Sequence, residues 1–161
     1  MQDRDASFQA HVRIYRSSVY QAITPHVLRG FGPVHVALYR LLRGRLVGRI
    51  SQGFMPVLLL TPVGRSSGRR RTRPVGYVRD GDALLVVASS GALTSHPGWY
   101  FNLRANPAAQ VELGSERMNV TATILLNDER ERAWRVVTMK YPFFHVYKRS
   151  VRRVIPCCGC V

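Results

Sequence analysis

The sequence predicts an α+β fold that is mainly β: about six mostly antiparallel strands in one closed or half-closed sheet, with N-terminal and peripheral helices. Short apolar runs recur from Met55 onward, and tight Asp-Gly and Gly-Ser turns join several of them into hairpins. Helical periodicity is strongest near the beginning of the chain. A sheet built mainly of hairpins protects its edges best by closing. With 161 residues there is room for one cored domain and an N-terminal appendage.

Residues 1–50 read as a basic helical segment. One helix is expected around Ser7 to Ala22, and Gly30 to Pro33 should separate it from a second. In that second helix Val34, Ala37, Leu38, Leu41 and Leu42 recur at helical steps, with Arg40, Arg43, Arg45 and Arg49 nearby. Such a helix either lies on anionic lipid or packs on the barrel with a solvated basic face.

Residues 51–156 carry the barrel. Met55 to Thr61 is a buried strand, Gly64–Gly68 a turn, and Thr72 to Val78 the next strand. Arg79-Asp80-Gly81-Asp82 turns the chain into Ala83 to Ala88. Ser95 is placed to cap a helix with Pro97 in its first turn, ending before Asn106-Pro107. Gln110 to Leu113 and Met118 to Leu126 pair across Gly114-Ser115. Acidic Asp128 and Glu129 open a further helix, whose Trp134 and Val137 face a core. Val151 to Pro156 is expected as the last strand, followed by a tail, residues 157–161, holding Cys157, Cys158 and Cys160.

Composition narrows the function. The chain has 24 basic residues against 9 acidic, a net charge of +15, and its only lysines are Lys140 and Lys148. Anionic small molecules, anionic membranes and nucleic acid all fit that balance. Clustered cysteines without a second ligand group do not make a zinc site, and the five histidines show no ligand spacing, so no metal is expected. Three adjacent cysteines do not form a disulfide framework. No signal peptide or membrane span is read, which points to a cytoplasmic protein. The basic helices could attach it peripherally to the inner face of the cell membrane.

The chemistry concentrates between Leu58 and Leu113. Arg65, Ser66 and Ser67 in a glycine-flanked turn, then Arg69, Arg70, Arg71 and Arg73, offer the planar donors and turn amides that phosphates and carboxylates require. Along a strand Arg69, Arg71 and Arg73 share one face, and Arg70 and Thr72 the other. His96-Pro97-Gly98-Trp99-Tyr100-Phe101-Asn102 follows with an aromatic helix start, a surface for a flat ring. An arginine hairpin could also serve as a nucleic-acid-binding barrel, but no aromatic strip is interleaved with it.

Several ordered motifs resemble the deazaflavin-dependent nitroreductase family. They are Leu60-Thr61-Pro62-Val63-Gly64-Arg65-Ser66-Ser67-Gly68, Arg71-Thr72-Arg73-Pro74, Arg79-Asp80-Gly81, Val86-Val87-Ala88-Ser89-Ser90-Gly91, and His96 through Pro107. The resemblance implies a split β-barrel related to flavin-mononucleotide-binding barrels. It implies coenzyme F420, an 8-hydroxy-5-deazaflavin with a phosphate and an oligoglutamyl tail, as cofactor; flavin mononucleotide is the alternative. Arg65, Ser66 and Ser67 would then meet the phosphate or tail, and Arg71, Thr72, Arg73 and Pro74 the ribityl chain and ring. Val87, Ala88, Ser89 and Ser90, with Gly98, Trp99, Tyr100 and Asn102, would border the deazaflavin.

The implied activity is hydride transfer from the reduced coenzyme to a quinone, nitro compound or activated alkene. A carrier that binds without turnover is the other outcome of the same resemblance. Ser89, Tyr141 and Tyr147 are the expected hydroxyl donors to substrate. Gly76 and Phe144 are expected at the substrate pocket, Gly76 where the family pattern has a bulky aromatic and Phe144 where it has a tyrosine. Ser66 and Ser90 stand where the pattern has lysines. A monomer or homodimer is expected.

Overall fold

The computed structural model describes residues 2–44 and 55–161. Arg45, Arg49 and the expected boundary between residues 50 and 51 lie outside the described residues. In chain order the elements are α1 Gln2–Arg16, α2 Ser18–Leu41, β1 Val57–Pro62, β2 Arg73–Asp80, β3 Ala83–Val87, α3 Gly98–Ala105, β4 Ala108–Leu113, β5 Glu116–Ile124, α4 Asn127–Lys140, α5 Phe143–Ser150 and β6 Cys157–Cys160. All six strands pair antiparallel in a closed barrel ordered β1-β2-β3-β6-β5-β4.

The turns behave as their residues demand. Asp80 faces Ala83 across Gly81-Asp82, and Leu113 faces Glu116 across Gly114-Ser115. Gly81 and Gly114 take φ of 58° and 66°, the left-handed region that costs glycine least.

β1 reads as a continuous apolar run because both of its faces are covered. Leu58 and Leu60 point into the barrel with Val86, Trp99, Leu103 and Val111. Leu59 points outward against Val36 and Tyr39 of α2. A second core fills the space between the barrel and α4 and α5, with Val78, Leu85, Val87, Trp134, Val137, Phe144 and Ile155.

Two expectations change here. The last strand is Cys157–Cys160, not Val151 to Pro156, and it lies between β3 and β5 rather than trailing from the barrel. Cys158 and Cys160 are buried in the barrel interior and Cys157 in the outer core. Cysteine packs as a small apolar residue, so the run fits a strand covered on both faces. Burial raises all three thiols, Cys157 and Cys160 to about 11, which keeps them protonated and unreactive.

The N-terminal helices break at Ser17, not at Gly30–Pro33. The Ser17 hydroxyl accepts from Tyr20 N at 3.2 Å and caps α2, which then runs through both Pro25 and Pro33. The structure also decides which face α2 buries, a choice the sequence leaves open. Gly32, Val36 and Tyr39 meet the barrel, while Val34, Leu38 and Leu41 face away from it. Polar contacts fix that choice: Gly114 N donates to Tyr39 Oη at 2.9 Å, and Arg40 Nε to Glu112 Oε2 at 3.0 Å. α5 is a helix over a stretch to which the sequence assigns no element.

Glu112 is a carboxylate only 4% exposed, held by Arg40 and Arg117. The Arg40 hydrogen bonds hold its carboxyl below the usual glutamate value, against the opposing pull of desolvation. Its folded pKa is depressed, so its contribution to stability is complete above its unfolded value. That contribution is lost as pH falls through the folded one. The melting temperature of wild type should therefore fall more steeply below about pH 4.3, the ordinary glutamate value, than that of Glu112→Gln. Parallel melting curves across that range would contradict the role.

Candidate functional site

The turn after β1 is built around close backbone approach. A Cβ on Gly64 would lie 2.7 Å from Ser67 Oγ and 3.0 Å from Arg69 O, so a side chain there would open the turn. Gly64 N donates to Arg69 O and Gly68 N to Gly64 O, and Gly68 takes a φ of 64°. The turn is also tied to α3. Arg65 N donates to Asn102 Oδ1 at 3.2 Å, and the Arg65 guanidinium lies 4.8 Å from the centre of the Phe101 ring.

Between this turn, the start of α3, the 88–97 loop and α2 lies an open cavity of about 740 Å³. Arg65, Ser66, Ser67, Arg71 and Arg73 line one part of it. Pro74, Val75, Gly76 and Val87 contribute sheet surface, and Ser89, Ser90, Gly98, Trp99 and Asn102 complete the lining beside the 88–97 loop and α3. Pro25, Leu28 and Arg29 of α2 complete it. Among the described residues, none of Arg65, Arg69, Arg70, Arg71 and Arg73 has a carboxylate partner. Unpaired guanidiniums sharing one cavity with Pro97, Gly98 and Trp99 suit an anionic tail joined to a flat ring.

The approach to β2 sorts the arginines. Arg71 and Arg73 line the cavity while Thr72 turns away, its hydroxyl 2.9 Å from that of Thr61. Arg69 and Arg70 are exposed at the hairpin tip and do not border the cavity. Arg73 is overlain by α2: a Cβ on Gly32 would come within 2.6 Å of Arg73 Nη1, so the glycine lets helix and guanidinium meet.

Several expected site residues sit elsewhere. Ala88 and Tyr100 belong to the barrel core, although the flanking Val87, Ser89 and Trp99 reach the cavity. Phe144 is packed against Trp134 in the outer core. Tyr147 meets Tyr15 of α1 edge-on at 5.2 Å, and burial pushes its phenol well above the usual range. Tyr141 packs near Phe143. None of these three borders the cavity, because α5 lies against α1 and α4 rather than over the arginine turn. Gly76 does line it, but Met55 Sδ stands 2.7 Å from where its Cβ would be. The room left by the missing aromatic is thus filled by a thioether. Ser95 is exposed and caps nothing; Pro97 is the N-cap of α3.

Sequence reading missed the residues that hold the 88–97 loop. Ser90, Gly91 and Ala92 have φ of 54°, 64° and 59°, three consecutive left-handed residues that need outside support. Tyr20 Oη donates to Gly91 O at 2.7 Å, and Gln21 Nε2 to Ala92 O at 3.0 Å, while Gln21 Oε1 accepts from Thr94 N at 2.9 Å. From the other side Arg153 donates to the carbonyls of Ala88, Ser89 and Leu93. These contacts join residues 60 to 73 positions apart and leave no local signal.

The chain has relatives with matching sequence and shape. The profile of the F420H(2)-dependent quinone reductase family matches residues 33–160. An F420H(2)-dependent quinone reductase of Mycobacterium tuberculosis is 42% identical over 106 residues, spanning 65% of this chain and 70% of the relative. A solved F420-H2 dependent reductase superposes with a TM-score of 0.61 at 34% identity, over 66% of this chain and 94% of that one. A domain-swapped dimer gives the same TM-score and identity, over 66% of this chain and 80% of its own.

Proposed function

The chain belongs to the F420H(2)-dependent quinone reductase family, and from that premise we propose that the cavity between the Gly64–Gly68 turn and α3 binds reduced coenzyme F420 and a quinone. The protein is an oxidoreductase. The carrying observation is the juxtaposition of carboxylate-free arginines with the Pro97-Gly98-Trp99 wall in one cavity. When bound, the reduced deazaflavin supplies the hydride.

The side chains bind and orient. Arg65 and Arg71, with the Ser66 and Ser67 hydroxyls, hold the phosphate and tail by charge-assisted hydrogen bonds. Arg73 and Pro74 border the middle of the ligand, and Val87 and Trp99 its ring. α2, through Pro25 and Leu28, restricts water at the mouth. Ser89 donates a hydrogen bond toward the acceptor oxygen on which charge develops. Tyr141 and Tyr147 take no part in this arrangement, since neither borders the cavity.

Mixing purified protein with reduced F420 and menadione, and following coenzyme reoxidation optically, should show turnover. Binding without turnover would leave a carrier, and neither binding nor turnover in folded protein would overturn the assignment. A flavin mononucleotide site would show itself in the same assay by preferring that cofactor.

A peripheral membrane location follows from α2. Val19, Ile23, Val27, Phe31, Val34, Leu38 and Leu41 form one stripe along it, each between 46% and 78% exposed. No described helix is long and apolar enough to cross a membrane. Exposed Arg43 follows the stripe and Arg29 flanks it at the cavity mouth, so the stripe suits an anionic bilayer surface. A lipid-soluble quinone would then reach the cavity beside the helix that rests on the lipid. Val27→Glu/Val34→Glu should lose flotation with phosphatidylglycerol vesicles while keeping reoxidation of soluble menadione. Unchanged flotation would remove the membrane reading, and a shift from dimer to monomer instead would assign the stripe to a second copy.

A further inference from the structure

His96 and Arg153 form a pair that the cavity residues described so far do not account for. Arg153 Nη1 lies 2.9 Å from His96 Nδ1 while its other donors hold Ala88 O, Ser89 O and Leu93 O. A guanidinium can only donate, so His96 Nδ1 accepts and the ring carries its proton on Nε2. The ring is half-buried, sits 5.0 Å from that of Tyr100 and 5.8 Å from that of Phe101, and borders the cavity.

We propose that Arg153 is a positioning residue that fixes His96 as a neutral Nε2–H donor to an oxygen of the flat ligand bound in the cavity. The proposal rests on the coenzyme-and-quinone reading of that cavity. The oxygen is either a ring carbonyl of the coenzyme or the quinone oxygen that becomes anionic when hydride arrives. A neutral imidazole suits this task because it donates a hydrogen bond without leaving a buried cation when the site is empty.

The surroundings keep the ring neutral. Burial, then the charges of Arg153 and Arg104, lower the His96 pKa. Asp128, Arg130 and Glu131 face His96 across the neighbouring groove at the start of α4, and they do not reverse that direction. Arg153 itself is pulled below its ordinary value by desolvation, and it stays bound because four acceptors surround it.

The test combines ring ¹⁵N NMR with kinetics on full-length protein. In wild type the His96 ring should remain the Nε2–H tautomer at pH 6.5, and Arg153→Lys should lose that fixed tautomer while melting as a folded protein. His96→Ala should weaken one step by about 10- to 100-fold, the size of a hydrogen bond to a charged or developing-charge oxygen, and His96→Gln should recover part of it. A rise in coenzyme Kd assigns the donor to the coenzyme ring. A loss in kcat with menadione at unchanged Kd assigns it to the quinone oxygen. Wild type that binds and turns over, with His96→Ala unchanged in both, overturns this inference and leaves the cavity assignment intact. A charged His96 ring or an Nδ1–H tautomer in wild type overturns it as well. Wild type that binds no coenzyme overturns the cavity assignment on which the inference stands.

Discussion

A chain ending at Pro156 should not fold. Residues 157–160 supply β6, whose register runs from Leu84–Cys160 to Val87–Cys157 on one side and from Ala122–Cys160 to Ile124–Cys158 on the other. Without them, backbone groups of the largely buried β3 and of the more exposed β5 lose their partners, at about 1–3 kcal/mol for each group left buried and unpaired. A domain is stable by only about 5–15 kcal/mol, so a few such losses exceed the margin. Three nearly inaccessible side chains disappear from both cores at the same time. Circular dichroism should show no cooperative melting, and the soluble fraction should collapse. Cys158→Val, close in volume and equally apolar, should keep the fold, which separates the strand's role from thiol chemistry. A truncated chain melting like wild type would mean that the barrel closes without β6.

The second large effect is expected at the arginine turn. Arg65→Ala and Arg71→Ala should each remove a charge-assisted contact of about 1.5–3 kcal/mol, or roughly 10- to 150-fold in coenzyme affinity. The double variant should approach the product if the two guanidiniums act separately, and less if they grip one group. Both side chains are exposed and carry no ion pair among the described residues, so melting should change little. Titration of coenzyme fluorescence measures the affinity, and added salt should weaken wild type more than the double variant. Equal affinity in all four proteins would move the anionic tail elsewhere.

Much of this architecture was legible in residue order. Asp80-Gly81 and Gly114-Ser115 specify tight hairpins through local backbone preference alone. The Gly64–Gly68 turn carries its own instructions, since only glycine admits the approach of Ser67 and Arg69. The alternation along residues 69–73 separated Arg71 and Arg73 from Thr72, although Arg69, which it grouped with them, does not border the cavity. Local rules of this kind survive whatever packs around them.

Other features needed the third dimension. The helical period in residues 34–42 identified a helix and an apolar stripe, but not that the stripe faces outward. Tyr39, Arg40 and Glu112 decide that, by pairing a helix with a strand 72 positions away. Gly30, Gly32 and Pro33 looked sufficient to divide α2, yet the capped break falls at Ser17. The tyrosines near residue 141 carried the right chemistry for a substrate wall, but Tyr147 packs on Tyr15 of α1 and Tyr141 beside Phe143 instead.

By itself, the sequence determined the antiparallel sheet, the arginine turn and the kinship with deazaflavin-dependent enzymes, because each rests on short-range geometry or an ordered motif. Only the tertiary structure decided that the cysteine run closes the barrel, that α2 roofs the cavity, and that Arg153 holds His96. Those outcomes depend on hydrogen bonds and packing between residues far apart in the chain, where no local preference sets the result.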